Sequence, residues 1–156
     1  MRVRPQNGAN PSNPYDAPVQ RSGLLITRIG VTPSGGSRFE ETEIELTDAG
    51  EIGRLSEPWA ASSVTFREND PDYDYDWHCA PRRQLIVLLD GEIEVEVTSG
   101  EKRRFGGGDM VLVEDTTGTG HRTRTLGGRS RRSLFIVLAG EEPAPAPNEG
   151  AGRTMG

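Results

Sequence analysis

The stretch QLIVLLDGEIEVEV, residues Gln84–Val97, decides the fold class of this protein. Its first half is an apolar, β-branched run that is typical of a buried strand. Its second half alternates glutamate with isoleucine or valine, which predicts an antiparallel edge or outer strand with one wet face and one buried face. The dipeptide DG at residues 90 and 91 predicts a turn between the two strands.

Other segments carry strand signals, and they are Leu24–Val31, Phe39–Leu46, Ser63–Phe66, Asp109–Glu114, His121–Leu126 and Ser133–Ala139. Glycine-rich turn signals separate many of them. Short strands with turns at this spacing are typical of an all-β sandwich or barrel, not of alternating strands and helices. We expect at most one short helix, within residues 47–61, where Gly50, Gly53 and Pro58 disfavour it.

The composition predicts one domain flanked by two polar tails. The chain has 156 residues, of which 33% are hydrophobic, and a second core would need more apolar sequence. Residues 1–22 are rich in proline and asparagine, and residues 141–156 read EEPAPAPNEGAGRTMG. Such segments bury too little apolar surface to offset their ordering entropy. We therefore expect a β-barrel domain over residues 23–140 and disordered or loosely attached tails at 1–22 and 141–156.

Charge and hydropathy argue against several partners. The net charge of -6 does not suit nucleic acid, and we interpret RSRR at residues 129–132 as a solvated turn. The longest apolar run, Leu85–Leu89, is far shorter than a membrane span, and the start MRVRPQNGANP lacks the apolar part of a signal peptide. The single Cys79 cannot form an internal disulfide. We expect a cytoplasmic protein that binds neither nucleic acid nor a membrane.

The chain contains two histidines, His78 and His121, and each lies at the start of a strand signal. Side chains alternate along a strand, so residues 78, 80, 82 and 84 share one face if the strand continues that far. Arg82 and Gln84 are therefore candidate ligand-binding residues on the face that carries His78.

The stretch HCAPRRQLIVLLDG, residues 78–91, resembles the first motif of the cupin family, G-x5-H-x-H-x(3 or 4)-E-x6-G. His78 takes the place of the first histidine, and Ala80 that of the second. Gln84 takes the place of the glutamate and Gly91 that of the closing glycine, with all spacings kept. Asp72 stands where the opening glycine would fall.

Residues 108–125, GDMVLVEDTTGTGHRTRT, resemble the second cupin motif, G-x5-P-x-G-x2-H-x3-N. Gly108 fits the opening glycine, and His121 fits the histidine after a loop that is two residues longer than the family pattern. Glu114 replaces the proline and Thr125 the asparagine.

The resemblance implies a jelly-roll, or double Greek key, β-barrel with a site in its interior. A full site of this family holds three histidines and one carboxylate, which suit zinc, manganese, iron or nickel. The matching positions here imply His78, Gln84 and His121 as metal ligands. Two imidazoles and a neutral amide should bind a divalent metal more weakly than the full set.

The acidic run NDPDYDYDW, residues 69–77, supplies further candidates. Asp74 and Asp76 share strand parity with His78, so Asp76 joins the two histidines as a candidate catalytic acid or base. An acidic entry loop is the alternative interpretation.

The aromatic residues of the same run have the opposite parity, and they are Tyr73, Tyr75 and Trp77. They either line the pocket through a bulge or form a dimer surface, and Tyr75 and Trp77 are candidate ligand-binding residues. Glu114 and Asp115 open a loop beside His121 that either gates the pocket or is a polar surface turn.

Different functions remain open at this stage. One is a small-molecule enzyme, an oxygenase, isomerase, cyclase or lyase, that uses a metal or the two imidazoles directly. Another is a noncatalytic module that holds a small organic ligand, and a third is a structural or partner-binding role. We also expect a homodimer, because the strand signals over residues 24–46 have no partner within the two motifs.

Overall fold

The structure, a computed structural model, describes residues 23–139, so the tails expected at 1–22 and 141–156 lie outside the described residues. Strands carry the fold, and they are β1 Gly23–Val31, β2 Ser37–Glu45, β3 Thr47–Asp48, β4 Arg54–Leu55, β5 Ala61–Asn69, β6 Asp74–His78, β7 Gln84–Leu88, β8 Glu92–Glu96, β9 Lys102–Gly106, β10 Met110–Val113, β11 His121–Leu126 and β12 Arg131–Leu138. No helix within 23–139 has the length and apolar character needed to cross a membrane.

The chain divides into two compact units. Within the described range, the smaller unit comprises residues 23–25 and 43–57, and it contains the short β3–β4 hairpin. Residues 47–61, where we expected at most one short helix, contain a single 3-10 turn, Gly50–Ile52, which connects β3 to β4. Gly50 and Gly53 have φ angles of 70° and 97°, values that a right-handed helix does not allow.

The larger unit comprises residues 26–42 and 58–139 of the described range. The long strands form a six-stranded sheet, ordered β2-β1-β10-β7-β12-β5, and a four-stranded sheet, ordered β6-β11-β8-β9. From β5 to β8 and from β9 to β12, each strand lies in the other sheet from its predecessor. This alternation between two sheets is the connectivity of a jelly roll, so the predicted cupin-type fold is confirmed. The two sheets remain open and do not close into a single continuous sheet.

The core lies between the two sheets. The six-stranded sheet contributes Ile29, Leu88, Val111 and Val113 to it, and the four-stranded sheet contributes Ile93, Val95 and Phe105. Every second residue of these strands points inward because strand side chains alternate between faces. Burial of these aliphatic groups is the main favourable contribution to folding.

Two expectations about strand position need correction. β8 is antiparallel as predicted, but it lies between β11 and β9 and is not an edge strand. Glu94 on its outer face is therefore largely covered, and its carboxylate bonds Arg124 at 2.9 Å. β1 has a partner within the chain, since Arg28 pairs in parallel with Leu112 of β10. The homodimer stays a prediction, but an unpaired β1 no longer supports it.

We predict that Gly120→Ala severely destabilises the protein. Gly120 has a φ of +78°, and a Cβ there would lie 1.9 Å from the backbone oxygen of His78. Strain and overpacking together should reduce the free energy of unfolding by about 3 kcal/mol or more, measured by urea denaturation.

Gly127→Ala is the matched control, because Gly127 has a φ of +76° with nothing within 4 Å of an added Cβ. It should cost only the backbone strain, about 1 kcal/mol. Equal losses in the two variants would show that the close approach at Gly120 does not matter.

Candidate site between the two histidines

The two histidines lie side by side on neighbouring strands. His121 at the start of β11 pairs with His78 at the end of β6, and the centroids of their rings are 4.5 Å apart with the planes tilted by 60°. His121 is buried and His78 is half-buried. The structure thus brings together two residues that are far apart in sequence and that the cupin-like motifs single out.

A bulge in β6 decides which neighbours accompany His78. His121 pairs with His78 and Thr123 pairs with Tyr75. Between these two pairs β6 contains one more residue than β11, which is a β-bulge. The bulge brings Tyr75 beside His78, with a ring-to-ring distance of 4.1 Å and an edge-on geometry. The parity expected for Asp74 and Asp76 is therefore wrong, because it assumed a regular strand.

The acidic side chains before His78 point outward. Asp74 is exposed and forms an ion pair with Arg122 at 3.3 Å, and the side chain of Asp76 is also exposed. Trp77 remains 39% exposed, in the bulged part of the strand. The roles predicted for Asp76 and Trp77 stay predictions, and the geometry places neither in the interior.

His121 is oriented by a buried carboxylate. Asp115, which has no solvent exposure, accepts a hydrogen bond from His121 Nδ1 at 2.5 Å. The sequence left open whether Asp115 gates the pocket or forms a polar surface turn, and the structure buries it completely. Burial raises the pKa of Asp115, while the bond to His121 opposes this effect. With Nδ1 held by the carboxylate, the Nε2 atom of His121 is the nitrogen left for a ligand.

His78 is held in the same tautomer by a different group. Its Nδ1 donates to the backbone carbonyl of Asp76 at 2.6 Å, and its Nε2 is buried with no hydrogen-bond partner in the described structure. Burial lowers the pKa of His78 to about 4, and the nearby His121 and Arg67 act in the same direction. His78 is therefore neutral at pH 7, with an unprotonated Nε2.

Gln84 lies in the six-stranded sheet, between Val113 of β10 and Val137 of β12. It is buried, and its Nε2 has no hydrogen-bond partner among the described atoms. β6 ends at His78 and β7 begins at Gln84, so the strand does not continue from 78 to 84, which was the condition for one shared face. Arg82 consequently lies in an exposed bend.

The donor set was tested for its fit to a resident divalent metal. Across residues 23–139 no group of three or more His, Cys, Asp or Glu side chains is placed to hold an ion. Protein zinc sites use three or four such ligands, whereas the implied set offers two imidazoles and a neutral amide. The residues therefore do not fit a full metal site, and the metal role of His78, Gln84 and His121 stays a prediction.

A pocket opens next to His121 between the two sheets. It encloses about 420 Å³, including its opening to solvent. Its apolar lining consists of Ile29, Ile86, Ile93, Val95, Val111, Val113 and Phe135, and its polar lining of Arg67, Tyr73, His121, Thr123 and Arg131.

Sequence reasoning missed the two arginines of this pocket. Arg131 belongs to the run that we interpreted as a solvated turn, yet it begins β12 and is 3% exposed. Arg131, Ser133 and Phe135 alternate with exposed or half-buried residues, and this period of two was the available signal. Arg67 lies at the end of β5, across from Ser133, in a segment where we expected a shorter strand.

Fold and site together define a small jelly roll of the cupin type with a pocket beside His121, one of two neighbouring histidines. No family model and no curated protein matches the sequence. Among solved structures, the chain is similar to the cupin domain of Cnp3 from Schizosaccharomyces pombe, with 11% identity over 77% of this chain and 86% of that chain and a TM-score of 0.42.

Two further solved structures are similar to this chain. A Salmonella typhimurium protein named for ethanolamine utilization has 14% identity over 76% of this chain and 98% of its own, with a TM-score of 0.37. A Neisseria meningitidis protein has 18% identity over 55% of this chain and 89% of its own, with a TM-score of 0.36. At these values the fold assignment rests on the strand order described above.

We predict that His78 makes the protein less stable in mild acid. The unfolded chain protonates this imidazole near pH 6.5, whereas the folded chain resists protonation until about pH 4. Stability is therefore complete above pH 6.5 and falls as the pH drops towards 4. Since solvent reaches part of the ring, the loss should be on the order of 1–2 kcal/mol.

The measurement is the free energy of unfolding of wild type and His78→Gln between pH 4 and pH 7. The raised pKa of Asp115 increases the stability of the folded state as the pH falls, which is opposite to the effect of His78. Because both proteins contain Asp115, the difference between their two stability curves reports the contribution of His78. Parallel curves would contradict the prediction.

Proposed function

We propose that this protein binds a small organic molecule in the pocket beside His121. The observation that carries the proposal is the composition of the pocket lining: aliphatic and aromatic groups form most of it, and a few polar side chains complete it. This is the usual composition of a small-molecule site, in which apolar groups supply affinity and polar groups fix orientation.

Within this proposal, His121 is the orienting group for the ligand. Its bond to the buried Asp115 fixes the ring, so Nε2 can accept a hydrogen bond without first reorganising. Tyr73 and Thr123 add polar groups to the same lining. Tyr73 in turn stacks on Tyr75, with ring centroids 6.0 Å apart, and Tyr75 meets His78 edge-on.

His121 and Asp115 also support acid–base catalysis as a second candidate function. An imidazole that lines a pocket and bonds a buried carboxylate is the arrangement that many enzymes use to take up a proton at Nε2. The carboxylate of Asp115 would stabilise the imidazolium that forms. In this case Asp115→Asn should lower turnover more than ligand affinity, whereas a purely binding site would show no turnover to lose.

We predict that His121→Ala abolishes binding while the protein stays folded. A screen of small organic molecules is best followed by imidazole NMR, because the chain has two histidines and the His78→Gln variant assigns both signals. Ligands of the pocket should shift the His121 signal in wild type and lose most of their affinity in His121→Ala. Ligands that bind equally well to both proteins would place binding elsewhere and count against the proposal.

We further predict that the purified protein carries less than one equivalent of transition metal. Two imidazoles and an amide are too few strong donors to retain zinc, manganese, iron or nickel through purification. Elemental analysis of wild type and His121→Ala is the measurement. One equivalent of metal in wild type that disappears in His121→Ala would instead favour a metal-dependent enzyme.

A further inference from the structure

We propose that the ligand is an organic anion, a carboxylate with a compact apolar body, which Arg67 and Arg131 bind inside the pocket. This inference rests on the proposed function, since it names the class of molecule that the same pocket takes. It arises from the two guanidinium groups of the lining, which neither the cupin-like motifs nor the histidine pair explains.

Both arginines lie against one aromatic ring, that of Tyr73. The guanidinium carbon of Arg67 is 5.3 Å from the ring centroid of Tyr73, and that of Arg131 is 5.1 Å from it. Arg67 also lies 5.1 Å from the centroid of Phe135. Contacts with ring faces hold a guanidinium in place and leave its N–H groups at the edge available for a ligand.

No carboxylate within the described residues forms an ion pair with either arginine, although both line the pocket. Most other arginines in this range have an acidic partner: Arg28 and Arg83 bond Glu114, Arg124 bonds Glu94 and Arg132 bonds Asp90. Arg82 and Arg129, which have no acidic partner in this range, are exposed to water. A buried guanidinium without a counter-charge is costly, and an anionic ligand would supply that charge.

The remaining contacts of the two arginines are neutral. Arg131 Nε donates to Thr125 Oγ1 at 3.4 Å, and Arg67 donates from Nε and Nη2 to the side-chain amide oxygen of Asn69 at 3.2 and 3.1 Å. Burial and the proximity of Arg67 lower the pKa of Arg131 to about 10, so Arg131 remains charged at neutral pH. The pocket therefore carries two positive charges beside a neutral His78.

The rest of the lining indicates that the other end of the ligand is apolar. The rest of the pocket wall is aliphatic and aromatic, with Ile86, Val111 and Phe135 among its members. Such a wall excludes water from an apolar group and offers no polar partners to a sugar or a polyamine. A carboxylate suits the two planar guanidinium groups, which bind it through paired N–H donors.

The test is a titration of the full-length protein with matched acids and amides: benzoate against benzamide, and hexanoate against hexanamide. The signals of His121 and His78 report binding. Each acid should bind at least about tenfold more tightly than its amide, the factor that one charge-assisted hydrogen bond corresponds to.

Variants assign this selectivity to the two arginines. Arg67→Gln and Arg131→Gln should each weaken benzoate binding about tenfold or more and leave benzamide binding unchanged. Arg129→Gln is the matched control, because it removes the same charge from an exposed position outside the pocket. It should change neither benzoate binding nor benzamide binding. If Arg131→Gln does not fold, Arg131→Lys keeps the charge but loses the planar donors, and Arg67→Gln is an independent test.

Failure of this inference is distinguishable from failure of the proposed function. Equal binding of acids and amides at His121, unaffected by either arginine variant, would overturn the anion assignment and leave small-molecule binding in place. If the acids cause no change at His121, the anion assignment is also overturned. Only the absence of any pocket ligand in the wider screen would remove the proposed function as well.

Discussion

The site depends on the pairing of β6 with β11, where the backbone of Gly120 passes against the carbonyl of His78. The loop that precedes β11 can approach this closely because residue 120 has no Cβ. Ser37 reinforces the approach by donating a hydrogen bond from Oγ to the Gly120 carbonyl at 2.7 Å. Because the end of β6 and the loop before β11 are held at this distance, His121 lies directly across from His78. The bulge in β6 then brings Tyr75 into contact with His78.

The polar groups of the interior differ in how fully they are satisfied. His121 and Asp115 bond each other, and the Asp115 backbone oxygen accepts from the Ala80 amide at 3.1 Å. By contrast, the second carboxylate oxygen of Asp115, the Nε2 atoms of His78 and Gln84 and the Oγ of Ser133 have no partner in the described structure. Buried polar atoms without partners are costly and are characteristic of sites that bind something.

The charged side chains of this pocket differ from those expected from the cupin motifs that the sequence resembles. That pattern concentrates metal ligands, including a carboxylate, in the interior. Here Ala80 and Gln84 replace two of those ligands, while Arg67 and Arg131 bring positive charge to the pocket lining. A cation at the pocket would be repelled by the two guanidinium groups, whereas an anion would be attracted by them. The two guanidinium groups thus support the proposal of an anionic ligand.

The sequence by itself determined the class of the fold and the pair of histidines. Alternation in Glu92–Val97, short strands and frequent glycine turns predict an all-β sandwich or barrel because periodicity and turn chemistry are local properties. The resemblance to the cupin motifs implied the jelly-roll form. Cupin-like spacing predicted His78 and His121 as partners. Other features could not be predicted, because they depend on which strands become neighbours.

Only the tertiary structure decided the surroundings of that pair. The bulge in β6 reversed the parity of Tyr75 and Asp76, and a bulge depends on pairing with a particular strand. Arg131 looked solvated within RSRR, but its burial follows from β12 lying between β7 and β5. Asp115 looked like part of a polar turn, and only the folding of its loop onto His121 made it a buried partner. Local pattern fixes which face of a strand is apolar, whereas the packing of distant segments decides which polar side chains meet inside.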